Sequence, residues 1–177
     1  MLACLRLLHR LGLAAALFLA PPLVHAASAA PVAAPTPATG TVTLMRPATY
    51  RNTRELNFAY LVVTTAGTAV INPNTDAMTT TGGVLHVGGT PYAAFFDGVS
   101  PNRAVVIIRI PRNPITLTRV GGTQTMTVSN WTLSGNSRRT IAAQEPFDFK
   151  VGGTLFVNAD QAEGTYVGSF EVDVQYQ

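Results

Sequence analysis

Cysteine and histidine are almost absent from this chain of 177 residues. Cys4 is its one cysteine, so no intramolecular disulfide can form and the fold must be held by its core. After residue 26 the one histidine is His86, flanked by Leu85 and Val87. General acid–base catalysis and zinc binding normally require histidine with partner side chains, so the pattern indicates a solvent-facing strand residue. We therefore expect no catalytic residue, no metal and no cofactor, and no enzymatic activity.

Charged side chains are also scarce, at 12% of the sequence. Arg6 and Arg10 lie in the first segment, which leaves a net charge of about +1 for the remainder. Phosphate contacts need clustered basic residues, and Arg138–Arg139 is the one adjacent basic pair, so we expect no nucleic-acid partner. Sparse charge suits a Thr-rich sheet surface, and it also favours a surface that a partner covers in part.

Long hydrophobic runs are missing as well. The apolar run Leu11–Ala20 has about ten residues, whereas a membrane span needs about twenty. Positive charge precedes this run, and the small or apolar residues of Val24-His25-Ala26 follow it, which is the pattern of a cleavable secretory signal. Residues 1–26 are the predicted signal peptide, cleaved before Ala27 or, as a rival site, after Ala29. We expect export to the periplasm, the cell surface or the medium, with no membrane anchor after cleavage.

Two regions follow the predicted signal peptide. Residues 27–40 are rich in Ala and Pro and offer little apolar mass to bury, which predicts a flexible segment. From residue 41 to 177 the chain alternates short β-type runs with Gly, Asn and Pro, and no stretch shows a convincing helical period. This pattern predicts one all-β domain, an antiparallel sandwich or barrel.

Several runs carry specific expectations. Alternation predicts that Leu56, Phe58, Tyr60 and Val62 share one face of a strand. Ala104–Ile110 is apolar on both faces and is the predicted central, fully covered strand. Turns are predicted to separate strands at Ala66-Gly67 and at the glycine pairs Gly82-Gly83, Gly88-Gly89 and Gly152-Gly153. Trp131, the one tryptophan, is expected in or beside the core rather than on a sugar-binding surface.

The glycine-centred motifs resemble those of a known family, the secreted bacterial domain of unknown function 4402. They are Leu56-Asn57-Phe58, Gly82-Gly83-Val84, Gly88-Gly89-Thr90-Pro91, Val151-Gly152-Gly153-Thr154-Leu155 and Gly164-Thr165-Tyr166. The resemblance covers about Val42 to Gln177. It implies a small exported β-sandwich and no particular reaction.

The C-terminal run Thr165–Gln177 is similar to the C-terminal signature of chaperone–usher pilin subunits. Gly164 is fourteenth from the end and Tyr176 is penultimate, and between them Phe170, Val172 and Val174 alternate with polar residues. The resemblance implies an immunoglobulin-like sandwich that lacks one strand. In such subunits the last strand borders an open groove, which a strand from a periplasmic chaperone or a like subunit fills. A plain amphipathic edge strand would show the same alternation.

Two functional hypotheses lead. The first is a non-enzymatic, fimbria-like or cell-surface structural subunit assembled by β-strand addition, with Gly164, Phe170, Val172, Val174 and Tyr176 as the interface. Val42 and Leu44 are then the candidate donor residues, because prolines in 27–40 cannot donate to a ladder. The alternative is a self-contained secreted binding module or adhesin of unknown ligand, using loops such as Asn72–Asp76 or Ser134–Arg139.

Overall fold

Two antiparallel β-sheets pack against a shared core in the computed structural model, which describes Val42 and residues 48–177. The described residues belong to one unit, Val42–Gln177. The predicted signal peptide 1–26, the flexible segment 27–40 and Leu44 lie outside the described residues.

Eleven strands and no helix are present among these residues. Their bounds are β1 Thr49–Arg54, β2 Tyr60–Ile71, β3 Met78–Gly88, β4 Ala94–Val99, β5 Ala104–Arg109, β6 Ile115–Arg119, β7 Thr125–Leu133, β8 Arg138–Ile141, β9 Pro146–Val157, β10 Tyr166–Val167 and β11 Asp173–Tyr176. All paired strands are antiparallel. This arrangement is the one expected of short strands that are separated by turn residues and have no helical crossover between them.

The larger sheet has eight strands and is organised around β9. One edge of β9 pairs with β7, and the other pairs first with β4 and then with β2. The path β1-β4-β9-β7-β6-β10 runs through this strand, and the β2–β3 hairpin joins it from the side. Because both edges and most side chains of β9 are covered, it is the central strand of the domain.

The smaller sheet has three strands in the order β11-β5-β8, and it covers only part of the larger one. The first core cluster lies between the sheets and contains Ala94, Phe96, Val106, Ile108, Ile141, Phe147, Phe149, Val151 and Val174. Phe96 and Phe149 stack there with ring centroids 4.9 Å apart. The second core cluster, Ala69, Val84, Val128, Leu155 and Val157, lies under the β2–β3 hairpin. The predicted all-β antiparallel sandwich is therefore confirmed.

The predicted central strand was wrong. Ala104–Arg109 is the middle strand of the smaller sheet only, and although Val106 and Ile108 are buried, Val105 and Ile107 are half-buried. The true centre, β9, continues through Gly152-Gly153, where a turn was expected. A Cβ on Gly152 would lie 2.2 Å from the Ile71 carbonyl oxygen, so glycine serves close strand approach at this point and not a turn.

The expected turns at Ala66-Gly67 and Gly82-Gly83 were also wrong, because β2 and β3 run through both pairs. The register shifts here between Val63 and Gly67, and Gly82 has a φ of 65°, which together mark a β-bulge. Pairing of β2 with β9 begins only at Gly67. We call the part of the hairpin beyond the bulge, Tyr60–Val63 paired with Val84–Gly88, the hairpin arm.

Leu56, Phe58, Tyr60 and Val62 do not share a face. Ala59 has a φ of 57°, which reverses the alternation before β2 begins. Leu56 and Phe58 therefore pack against the second core cluster together with Leu61 and Val63. Tyr60 and Val62 instead face solvent, with 70% and 45% of their surface exposed.

An ion cluster ties four segments together at Asp76, in the turn region between β2 and β3. Its carboxylate accepts hydrogen bonds from Arg54 Nη2 at 3.1 Å, Lys150 Nζ at 2.8 Å and the Ala93 amide at 3.0 Å. Burial alone would raise the pKa of this carboxyl. The hydrogen bonds outweigh burial and hold the pKa of Asp76 below its ordinary value of 3.8.

We predict that Asp76→Ala lowers the free energy of unfolding by about 1–3 kcal/mol, because two partly buried cations lose their partner. The matched control is Asp97→Ala, which removes the exposed Arg51–Asp97 pair and should cost less than about 1 kcal/mol. A carboxyl with a lowered folded pKa stabilises the fold above its unfolded pKa, and this contribution is lost as the pH falls through the folded value. Urea unfolding from pH 7 to pH 3 should therefore show a smaller loss in Asp76→Ala than in wild type. Equal losses in the two proteins would contradict the assignment.

Candidate functional site

The C-terminal segment joins the two sheets. The predicted single run Thr165–Gln177 is in fact two short strands, because β10 pairs with β6 in the larger sheet and β11 pairs with β5 in the smaller one. Between them Gly168 lies where a Cβ would come within 2.6 Å of the Thr116 carbonyl oxygen. The chain packs closely at this glycine and then passes to the other sheet. The single continuous strand that alternation predicted is therefore interrupted here.

The apolar residues of this segment pack inward. Val174 is 8% exposed within the first core cluster, and Phe170, Val172 and Tyr176 are half-buried against the same cluster. Phe170 also contacts Trp131, with ring centroids 4.7 Å apart. Glu171 and Asp173 are exposed, and Gln175 is half-buried.

Two unpaired strand edges face an open depression beside this segment. β11 pairs only with β5, and β1 pairs only with β4, so each has a free edge. The depression, about 930 Å³, is lined from both strands and from the end of β5, with Tyr50, Phe96, Ile110 and Val172 among its residues. The Tyr50 hydroxyl donates to the carbonyl of Val172, the residue before β11, at 2.8 Å and so links β1 to the start of β11. We call this depression the edge groove.

A second, more enclosed space of about 550 Å³ adjoins the edge groove, and we call it the apolar hollow. Asn52 and Phe96 line both spaces. Segment 55–61 and segment 164–170 form its sides, and the apolar side chains include Leu56, Phe58, Leu117, Met126, Leu155 and Phe170. The smaller sheet does not extend over this half of the larger sheet, which leaves the hollow open to one side.

The five residues predicted as a strand-addition interface have three different placements. Val172 lines the edge groove, whereas Gly164 and Phe170 line the apolar hollow. Val174 and Tyr176 lie in or against the core and line neither space. Gly164 has a φ of 145°, which favours glycine, and a Cβ there would lie 2.6 Å from Arg119 Nε.

Sequence reasoning missed the opposite wall of the groove. Thr49–Arg54 was not predicted as a strand, because five of its six residues are exposed and it carries almost no hydrophobic pattern. Tyr50, the residue that reaches across to Val172, was therefore not a candidate. The tyrosine between polar residues, at Thr49-Tyr50-Arg51, was the one available signal.

Tyr176 has an unusual environment for a hydroxyl group. Its oxygen is buried and has no hydrogen-bond partner in the part of the chain that the structure describes. Burial, together with the nearby Tyr50, raises the pKa of Tyr176 above its ordinary value of 10.0. The phenol is therefore neutral at physiological pH, and its desolvation is a cost to the fold.

Residues 48–177 contain one histidine and no cysteine. His86 is exposed on β3, and its Nε2 lies 3.0 Å from the Gly88 carbonyl oxygen. No group of three His, Cys, Asp or Glu in this part of the chain could hold a metal ion. Trp131 is half-buried, donates to the Asn113 carbonyl at 3.1 Å and contacts both core clusters, as expected for a residue in or beside the core.

These features define an all-β antiparallel sandwich with a groove between free strand edges. The family model described as "Domain of unknown function (DUF4402)" matches residues 48–176, and the chain belongs to that family. No curated protein and no solved structure matches the chain. The described part of the chain contains no apolar helix of membrane-spanning length.

The orphaned hydroxyl gives a stability prediction. Tyr176→Phe should leave the free energy of unfolding unchanged or raise it by about 1 kcal/mol, because it removes a buried polar group without a partner. The matched control, Tyr50→Phe, removes the bond to the Val172 carbonyl and should lower stability by about 0.5–1.5 kcal/mol. Chemical denaturation of both variants measures this difference. A loss above about 1 kcal/mol in Tyr176→Phe would mean that its hydroxyl is satisfied in the folded protein.

Proposed function

We propose that this domain is a non-enzymatic, exported structural subunit of the cell surface that assembles with like subunits by β-strand addition at the edge groove. The observation that carries the proposal is the pair of free edges, β1 and β11, on either side of one depression. The proposal assigns no catalytic residue, metal or cofactor.

Free strand edges supply the affinity in this kind of assembly. Each unpaired edge presents main-chain N–H and C=O groups, and an added strand satisfies them while its alternate side chains enter pockets between the sheets. The edge groove offers apolar contacts for such side chains at Phe96, Ile110 and Val172. A donor strand lying beside Val172 would displace the Tyr50 hydroxyl from the carbonyl that it now bonds.

Charges at the rim of the groove supply selectivity. Two cations and two anions line the depression. The cations are Arg51 and Arg109, and the anions are Glu171 and Asp173. Rim charges steer encounter and reject partners of unmatched charge more than they add affinity. Residues 41–46 of a like subunit, Thr-Val-Thr-Leu-Met-Arg, alternate apolar residues and end in a cation, which suits this rim.

The apolar hollow favours a second candidate function, a self-contained binding module. Its volume, about 550 Å³, lies in the range of small-molecule sites, which are mostly apolar with a few polar groups. Glu55, Asn57 and Ser169 are the kind of polar groups that would orient a ligand there. In this case the sandwich is complete by itself and works as a monomer.

The variant that tests strand addition is Val172→Asp, because Val172 lines the groove while Val174 lies in the core, where a charge would unfold the domain. We expect Val172→Asp to abolish recovery with a co-expressed periplasmic chaperone and assembly into polymers. The incoming strand would remove water from this carboxylate without giving it a charged or hydrogen-bonding partner, which makes binding of the strand unfavourable. The control is Val120→Asp, which introduces the same carboxylate at an exposed valine that lines neither the groove nor the hollow and should be tolerated.

Far-UV circular dichroism of both variants should show the wild-type sheet spectrum, which separates a binding defect from unfolding. Suppose instead that the wild-type protein folds alone, stays monomeric at high concentration and gains no thermal stability from a peptide of residues 41–46. Strand addition then fails as the function, and the binding module takes its place.

A further inference from the structure

The described strands leave five free edges, and four of them are protected. β10 has only two residues, β1 carries Arg51 and Arg54, β8 carries Arg138 and Arg139, and β11 begins with Asp173. Short length and charge are the means by which proteins prevent unwanted pairing of sheet edges. The fifth edge is β3, which pairs only with β2.

β3 has neither form of protection. It has eleven residues, Met-Thr-Thr-Thr-Gly-Gly-Val-Leu-His-Val-Gly, without proline or a Lys, Arg, Asp or Glu side chain. Its partner β2 has no such charge either. A long, uncharged free edge is a template for pairing with another strand.

Exposed apolar side chains lie on the same part of β3. Leu85 and Val87 are 55% and 59% exposed on the hairpin arm. Val87 is an extra residue without a register partner, because the pairing shifts between Tyr60 and Leu61, so Leu85 defines the exposed face. Val62 pairs with Leu85 in the register, and Tyr60 lies two residues before Val62, so these two extend the same exposed face. The free edge and the apolar patch therefore coincide on the hairpin arm.

We propose that the β3 edge of the hairpin arm is a self-association surface, where a second copy of this chain adds its own β3 antiparallel. In a two-fold dimer each strand pairs with an identical strand. A charged side chain on the strand would therefore lie close to the same charge on the partner. β3 carries no fixed charge and so avoids this repulsion. Pairing centred on the regular stretch Val84–His86 would also place Leu85 beside that of the partner as a cross-strand neighbour.

The expected association is weak. The bulge at Gly82 and the register shift at Val87 leave Val84–His86 as the regular stretch next to the apolar patch. A single strand of this length buries much less than the about 1,600 Å² of a standard interface. The dimer should therefore depend on protein concentration. No residue of β3 lines the edge groove, so this surface is separate from the one proposed for strand addition.

Sedimentation velocity over a wide range of concentrations tests the proposal, with the full chain carrying Val172→Asp as the parent so that assembly at the edge groove does not contribute. The parent should form a discrete dimer, and adding Leu85→Lys should raise its dissociation constant about tenfold or more, because like charges meet across the pair. The matched control is Val120→Lys, at a valine that is 60% exposed outside the arm, which should leave the constant unchanged.

A cysteine variant provides a second measurement that does not depend on weakening the dimer. In the same parent with Cys4→Ser, Leu85→Cys should yield a disulfide-linked dimer under oxidation and Val120→Cys should not, because only residue 85 lies near its own copy. A parent protein that stays monomeric throughout, or forms only polydisperse aggregates, would overturn the proposal. So would equal effects of the two lysine variants or equal cross-linking of the two cysteine variants.

Discussion

Main-chain pairing along β9 is the constraint on which the rest of the domain depends. β7, β4 and β2 bond directly to β9, and they in turn hold β6, β1 and β3. Phe147, Phe149 and Val151 supply the first core cluster from one half of this strand, and Leu155 and Val157 supply the second from the other. Gly152 stands between the two halves, where the end of β2 approaches too closely for a side chain.

Sequence reasoning could predict the class of fold but not the roles of its strands. Period-two alternation and frequent turn residues indicate an antiparallel sandwich because they are local properties. Which strand is central is a long-range property, and glycines at 152 and 153 made β9 resemble two strands and a turn. Alternation also failed at Ala59, since a positive φ at a non-glycine residue leaves no trace in hydrophobicity. Of the candidate interface residues, Val172 was placed at the groove, whereas its counterpart Tyr50 lay in a strand with no apolar pattern.

The free edges of the two sheets differ in a way that relates to assembly. β1 and β11 carry charges of both signs around a groove with apolar contacts, which suits a specific incoming strand. β3 carries no fixed charge and an exposed apolar patch, which suits an identical strand. A subunit with two such edges could extend along one direction through the groove and associate sideways through the hairpin arm. No residue of β3 lines the edge groove, so each surface can be altered without the other.

Hydrogen–deuterium exchange, with and without a peptide of residues 41–46, tests the strand-addition account most directly. In the free protein the amides of β9 should exchange most slowly, because both of its edges are paired. On addition of the peptide, exchange in β1 and β11 should slow as the free edges gain partners, while exchange in β3 stays unchanged. Unchanged exchange in β1 and β11 at saturating peptide, or slowing confined to β3, would contradict the account.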